Sequence, residues 1–454
     1  MDFFSQFLKF VFAFLLISQF ALAQGSVQLP LIGNFNPYPS LGYNDCWGYT
    51  APDGTEYAFL GVYNGTSIVD LSDPANPVER DFVSGPFSIW KDIKTYQHYA
   101  YVVTEADHNL QVIDLANLPG PVSLVGNFPV FITDPHNISI DTTNGFLYGA
   151  EDNQFGQSVR VISLADPVNP VSVTAFGTDC HDMLIQDNIL YVAEGTNGTI
   201  GIYDMSDPAH PALLVRIPIP NPGYVHNVWP TEDGQYLVST EETSGKTVKI
   251  WDIRDLANVE LKSEYLAPER LAHNAHVKGN YVHLAHYRDG LRILDISDPT
   301  NMHEVAYYDT YPGSGGIYEG DWGAFPFFAS NLTVASDQTT GLYIFRFPDT
   351  GVGIEPSENI AGGFALGANY PNPFNPSTTI PFSLSSNARA TVEICNVLGQ
   401  TIVRLGGEIL AAGDYQFQWD GHSAAGNVAP SGVYFYRLKI DGQIRATRSM
   451  ILSR

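Results

Sequence analysis

Four histidines recur at near-constant spacing, each followed by an aspartate or asparagine: His136-Asn137, His181-Asp182, His226-Asn227 and His273-Asn274. Asn44-Asp45, Lys91-Asp92 and Gly320-Asp321 continue the series without histidine. Asp45, Asp92, Asn137, Asp182, Asn227, Asn274 and Asp321 therefore follow one another at intervals of 47, 45, 45, 45, 47 and 47 residues. Imidazoles beside carboxylates suit a divalent cation. His136, His181, His226, His273 and Asp182 have the ligand chemistry of a zinc, manganese or copper site, whereas the Asp, Asn and Glu oxygens alone would suit Ca²⁺. The same groups offer general-base chemistry, with histidine as base and a carboxylate as its partner. A third reading needs no ligand: each polar residue locks one strand to the next by a hydrogen bond, which would also explain the repetition. One histidine per repeat is demanding for a single ion, because four side chains must converge from four separate units.

The units themselves are legible. "SIVDLSDPANPV" (67–78) recurs as "LQVIDLANLPGPV" (110–122), "VRVISLADPVNPV" (159–171), "IGIYDMSDPAHPA" (200–212), "VKIWDIRDLANVE" (248–260) and "LRILDISDPTNMHEV" (291–305), with a degenerate copy "LYIFRFPDT" (342–350). A period near 45 residues holding several short apolar runs is the pattern of four-stranded propeller blades. In the fourth unit these runs are "HDMLIQDN", "ILYVAEG", "TIGIYDMS" and "ALLVRIPI". The expectation is an all-β, seven-bladed β-propeller over residues 25–350. Its seventh unit stops after "LYIFRF", and "VQLPLIGNF" (27–35), which resembles "PVSLVGNFP" (121–129), is expected to supply the missing strand and close the ring.

Strands that alternate in direction put the starts of all innermost strands at one mouth of the channel, together with the loops between second and third strands. The candidate ligand-binding set is therefore Asp45, Asp92, His136, Asn137, His181, Asp182, His226, Asn227, His273, Asn274 and Asp321, joined by Glu105, Glu151, Glu194 and Glu241. Asp107, Asp152, Glu242, His286 and Asp289 lie on the same loops. Trp47, Trp90, Trp229 and Trp322 fall at or beside the strand starts and are expected in the inter-blade core. The "DLSDP" segments fall at the other end, where Asp and Ser bond nearby backbone N–H groups and Pro fixes φ.

The runs "SIVDLSDPANP", "IYDMSDPAHP" and "LRILDISDP" resemble the LVIVD-repeat proteins, including the secreted group with the choice-of-anchor B domain. That resemblance implies a propeller and carries no enzymatic activity with it. After a Gly- and Pro-rich linker (351–367), the segment 368–454 alternates apolar and polar residues as a small Ig-like β-sandwich does. Its motifs "YPNPFNPSTTI", "NVLGQ" and "APSGVYFYRL" resemble the type A C-terminal sorting domain of the type IX secretion system. This resemblance implies the secretion machinery as a partner, delivery to the cell surface or beyond, and usually removal of the domain.

Residues 1–23, with Lys9, an apolar core and Ala21-Leu22-Ala23, read as a signal peptide; the apolar run is short for a membrane anchor. With 48 acidic against 22 basic residues, a formal charge of −26 repels phosphate backbones, so no nucleic-acid partner is expected. No later segment is apolar enough to span a membrane, and three scattered cysteines suggest no disulfide framework. The chain is expected to be a secreted, monomeric surface protein that binds an extracellular protein or glycan. A metal-dependent hydrolase or lyase at the His/Asp mouth is the alternative. No GxSxG nucleophile motif supports catalysis, and the cofactor expectation is limited to the divalent cation, Ca²⁺ or a transition metal.

Overall fold

The computed structural model describes residues 26–151, 157–347 apart from 312 and 314, and most of 364–452. The segment expected as a signal peptide (1–23), Asp152 and most of the expected linker lie outside the described residues. The chain divides into two units, residues 1–354 and 355–454.

Among the described residues of the first unit there are seven sheets, each with four antiparallel strands; the seventh takes its fourth from the N-terminal side, and the sixth gains a short fifth strand from there. The first sheet takes Tyr43–Thr50, Glu56–Val62, Gly65–Asp70 and Val78–Ser84 in that order. The inner strands of the next six are Lys91–Tyr96, Pro135–Asp141, Asp182–Gln186, Val225–Pro230, Ala275–Lys278 and Asp321–Phe325. Each inner strand neighbours the next, and the seventh neighbours the first. These are propeller-like blades.

Apolar seams between the sheets follow from the alternation along each strand. Seven clusters of buried side chains each draw on two successive sheets. Phe59 and Ile68 of the first meet Ile93 and Val102 of the second, for example, and Leu60 and Val69 of the first meet Phe328 and Ile344 of the seventh. Each fully buried Leu, Ile, Val or Phe contributes about 1.5–3 kcal/mol relative to exposure. No sheet could bury both faces alone, so each sheet's stability depends on its neighbours.

The seventh sheet is completed from the other end of the segment, as the similarity of 27–35 to 121–129 implied. Leu31–Phe35 pairs antiparallel with Gly341–Arg346, with Leu31 opposite Phe345 and Phe35 opposite Leu342. A bulge at Ile32, just before Gly33, matches the bulge at Val125, just before Gly126, in the second sheet. One part of the expectation changes: Val27–Gln28 is not in this strand but pairs in parallel with Ala306 and Tyr307 of the sixth sheet. The closing strand and the first sheet meet so closely that a Cβ on Gly33 would lie 2.1 Å from the Pro74 carbonyl oxygen.

The recurring aspartates are turn residues. Asp70 accepts the Ser72 N–H at 2.7 Å, Asp204 the Ser206 N–H at 2.8 Å and Asp295 the Ser297 N–H at 2.7 Å. The second acid of the motif repeats the device: Asp73, Asp166 and Asp255 each bond a backbone N–H two residues on and the asparagine three residues on. These carboxylates satisfy backbone donors that a tight turn leaves unpaired.

The second unit is a small Ig-like β-sandwich. One sheet holds Phe364–Leu366, Thr378–Leu384 and Gly413–Trp419; the other holds Thr401–Leu410, Ala388–Asn396, Gly432–Ile440 and Gln443–Leu452. Trp419, Ile380, Val392, Tyr436 and Met450 fill the space between them. Cys46, Cys180 and Cys395 are all free and buried. Among the described residues, no helix is long and apolar enough to cross a membrane.

Closure by a glycine contact has a measurable consequence. Gly33→Ala is expected to lower the unfolding free energy of the first unit by about 1–3 kcal/mol. Gly85→Ala, where a Cβ would meet nothing nearer than 3.9 Å, is expected to change it by less than about 0.5 kcal/mol. Chemical denaturation of both variants checks the pair; equal midpoints would show that the Gly33 contact does not hold the ring.

Candidate functional site

Alternation along the inner strands separates the two halves of each His–Asp/Asn pair. The Asp or Asn side chain turns between sheets. Asp92 Oδ2 accepts the Ile138 N–H of the next sheet at 2.6 Å. Asn227 donates Nδ2 to Asp182 at 2.6 Å and accepts the Ala275 N–H at 3.1 Å, so one side chain ties three sheets together. Asn274 reaches the Trp322 carbonyl at 3.1 Å. Lys94 pairs with Asp92 and lies 4.2 Å from the centre of the Trp47 ring. Asp45 presses against Gly323 of the seventh sheet, where a Cβ would lie 2.2 Å from its Oδ1.

Burial shapes the charge state of this layer. It pushes Asp182 up to about 6, with nearby Asp92 adding to the effect and the Asn227 hydrogen bond opposing it. Burial and then Asp92 hold Asp45 well above the usual carboxylate range. Asp321 is raised in the same way by burial and Asp337, and neither of its oxygens has a hydrogen-bond partner. Asn137 Oδ1 is likewise buried without one.

The histidines take the opposite side and converge. His136 and His181 have ring centres 4.2 Å apart, His181 and His226 4.3 Å, and His226 and His273 4.3 Å. The four imidazoles thus form one continuous stack across four sheets. Neighbouring rings are in contact, but of the expected metal set only His226 and His273 offer ligand atoms close to one another and to a carboxylate, that of Glu242; among the described residues His136, His181 and Asp182 do not join that group.

Groups from loops and from one inner strand hold these rings. Glu105 bonds His136 Nδ1 at 2.5 Å, and Tyr224 Oη lies 2.9 Å from His181 Nδ1. His273 Nδ1 lies 2.6 Å from the Trp322 carbonyl, with the Tyr287 ring 4.5 Å and the Trp322 ring 4.9 Å from its own. Burial lowers His181 and His226 well below the usual imidazole range, and their histidine neighbours add to the effect. His273 falls to about 3, chiefly through burial. For His136, burial works downward, but the Glu105 hydrogen bond and charge outweigh it and the net shift is upward. The stack therefore holds three neutral imidazoles and one favoured as the cation.

Lys91 occupies the place of the histidine in the second sheet. Its ammonium is buried against the carbonyls of Tyr63, Pro86 and Ser88 at 3.1, 3.2 and 3.4 Å. Burial pulls it down to about 8, against the opposing charge of Asp107. Between the Lys91, Asp92, His136, His226, His273 and Trp322 side chains the free space is water-sized.

The loop carboxylates divide. Glu105 joins the stack, but Glu151, Glu194 and Glu241 are occupied elsewhere. Glu151 bonds Arg160 at 2.5 Å and the N–H groups of Ile132 and Thr133. Glu194 takes Arg216 in a bidentate pair at 2.6 and 2.8 Å. Glu241 binds Lys249 and the Gly223 N–H. His286 and Asp289 pair at 3.0 Å beside Arg292. The neighbour of Glu241, Glu242, is the one that reaches the stack, with Oε2 3.9 Å from His226 Nε2. Tyr224, Tyr287 and Lys94 carry no periodic signal, and spacing could not have found them. Trp47 and Trp229 form an aromatic layer with His276, Phe325 and Phe327, while Trp90 and Trp322 line the water-sized space.

These features define a repeat protein of propeller-like blades with a histidine-lined centre. Residues 55–83, 90–129, 177–217 and 269–310 match the LVIVD repeat, and residues 373–443 match the FlgD Ig-like domain. Among curated proteins, none matches the chain. Among solved structures it is similar to Kuenenia stuttgartiensis hydrazine synthase, at 13% identity, over 72% of this chain and 99% of that one, with a TM-score of 0.51. A putative 6-phosphogluconolactonase from Bacteroides uniformis is similar at 14% identity, over 70% of this chain and 96% of that one, with a TM-score of 0.53. At such identities the likeness is one of fold alone.

The three-sheet tie of Asn227 yields an expected outcome. Asn227→Leu leaves Asp182 Oδ2 and the Ala275 N–H buried without the partner that Asn227 supplied, while Oδ1 keeps the Met183 N–H, and is expected to cost about 2–4 kcal/mol of stability. Asn227→Asp keeps the acceptor for Ala275 but sets a second carboxyl against Asp182, so it too should lower the denaturant midpoint, and by less at a pH low enough for the two carboxyls to share a proton. A Leu variant as stable as wild type would remove the locking role.

Proposed function

We propose that residues 25–350 form a seven-bladed β-propeller that serves as a binding module, taking an extracellular partner protein at the histidine-lined mouth. The observation that carries this reading is the placement of exposed apolar side chains. Phe87 and Ile89, Ile132, Leu266, and Ile317 and Tyr318 all stand exposed on connections that lead from an outer strand into the next inner strand. They therefore ring the same mouth as the histidines. Tyr318 packs edge-on against Tyr287, which touches His273, so rim and stack are one aromatic contact apart. Other exposed apolar side chains, such as Val78, Leu124, Val171 and Leu213, are spread along the outer strands, but those on the inner-strand connections share one mouth, and an apolar rim there suits protein association.

Catalysis has less support. Burial pushes the thiols of Cys46 and Cys180 far up, so neither is a nucleophile at neutral pH. Of the mouth carboxylates, Glu151, Glu194 and Glu241 are committed to basic residues of their own sheets, and Asp92 and Asp182 to bonds between sheets.

We further propose that residues 1–23 are a signal peptide and that residues 368–454 address the chain to type IX secretion. The quoted C-terminal motifs support this, and the Ig-like sandwich is a fold that can carry them. Part of the motif is built into that fold: the Asn369 N–H donates to Tyr436 Oη at 3.0 Å, and its side chain reaches Thr378.

Two measurements check these readings. The combined variant Phe87→Ser, Ile132→Ser, Tyr318→Ser should keep the thermal midpoint of the wild type, because all three side chains are exposed. It should weaken capture of surface proteins by at least about tenfold. Unchanged capture, or equal retention on a glycan array instead, would move the partner site or class. Separately, removal of residues 368–454 should abolish surface display in a type IX-competent host; normal display would remove the sorting role.

A further inference from the structure

His226, His273 and Glu242 come from two successive sheets, and each offers one ligand atom such that all three atoms lie within 4.8 Å of one another. Both histidines are only 3% exposed. Two imidazole nitrogens beside these atoms, His226 Nδ1 and His181 Nε2, are buried without a hydrogen bond, so the protein's own groups do not satisfy the cluster.

The surroundings orient the donors. A carbonyl oxygen only accepts, so the 2.6 Å contact to Trp322 fixes the His273 proton on Nδ1 and leaves Nε2 as a lone pair. Tyr287 donates to Glu242 Oε1 and leaves Oε2 to face His226 Nε2. The 3.9 Å between those two atoms is too long for a hydrogen bond. It is close to the separation of about 3–4 Å between two ligands that each sit about 2 Å from one ion. A carbonyl behind one histidine and a phenol behind the carboxylate are the supports that metal ligands ordinarily have.

We propose that His226, His273 and Glu242 bind one divalent transition-metal ion of the zinc class at the mouth, with Tyr287 and the Trp322 carbonyl positioning the ligands. The donor set selects the metal. Two imidazoles and one carboxylate suit Zn²⁺ or Co²⁺, whereas Ca²⁺ takes six to eight oxygens. The oxygens it would need from Glu151, Glu194 and Glu241 are already bound to Arg160, Arg216 and Lys249. Two of the ligands, His226 and His273, line the water-sized space between His136 and Trp322. The ion would sit below the apolar rim. This inference deepens the binding reading by placing a Lewis-acidic centre where a partner's donor group could reach it.

The test uses the full chain, stripped with chelator and titrated with Co²⁺ and then Zn²⁺ without any partner, so its failure leaves the partner-binding reading standing. Expected are one equivalent of Co²⁺ with visible absorption bands, displacement by Zn²⁺, and two imidazoles per zinc by X-ray absorption. Glu242→Gln, at a partly exposed position, should weaken binding by about 100-fold or more. Tyr287→Phe should weaken it by about tenfold. His210→Ala, on an exposed turn at the other end, should leave it unchanged. The proposal is overturned by the absence of saturable Zn²⁺ or Co²⁺ binding, by fewer than two imidazoles on the zinc, by Ca²⁺ binding in preference, or by a folded Glu242→Gln chain of unchanged affinity. If Glu242→Gln does not fold, the wild-type absorption and imidazole count decide.

Discussion

Everything in the first unit depends on seams between sheets. Each sheet is apolar on both faces, and each face is covered only by the next sheet in the series. The last seam joins Leu60 and Val69 to Phe328 and Ile344, residues more than 250 positions apart in the chain. Such a ring is stable only when closed, because an open end would expose one apolar face and one unpaired edge. Closure comes from Leu31–Phe35, a strand laid down before the first sheet and used by the last. The glycine at its bulge lets this strand approach the Asp73-Pro74 turn of the first sheet, so the turn motif also serves the closure.

The closed ring then sets the electrostatics of its centre. Seven inner strands crowd polar residues together in a region water barely enters. Desolvation there raises the carboxyls of Asp45, Asp182 and Asp321 and lowers the imidazoles of His181, His226 and His273. Favouring the neutral forms makes the burial more tolerable, although Asp182, raised only to about 6, still accepts the Met183 N–H and the Asn227 amide. It also leaves imidazoles able to offer lone pairs, an arrangement that water at an open surface would not sustain.

Two functions are thus divided between the members of each His–Asp/Asn pair. Asp92, Asn227 and Asn274 serve the seams, and the histidines beside them serve the mouth. A strand provides this division at no extra length, since successive side chains point to opposite sides. The loop glutamates divide less evenly. Glu151, Glu194 and Glu241 end their strands beside a basic residue of the same sheet and are used there, whereas Glu105 and Glu242 lie one step further along and turn inward.

Much of this was legible beforehand. The 45- to 47-residue period located the inner strands, the "DLSDP" copies proved to be turns, and the likeness of 27–35 to 121–129 carried over even to the bulge before Gly33 and Gly126. Local patterns of this kind survive in sequence because backbone geometry demands particular residues at particular steps: Asp where a turn leaves N–H groups unpaired, Gly where two chains touch. The contacts of the site did not survive in that form. That four histidines lie with neighbouring ring centres within 4.3 Å, that Glu242 and not Glu241 faces them, and that Tyr224, Tyr287 and Lys94 complete the surroundings depend on contacts between different sheets. The sequence determined the units and their ends, because strand period and turn chemistry act between near neighbours. Only the tertiary structure decided which side chains share the centre, because that convergence joins residues from different sheets and is set by the closure of the ring.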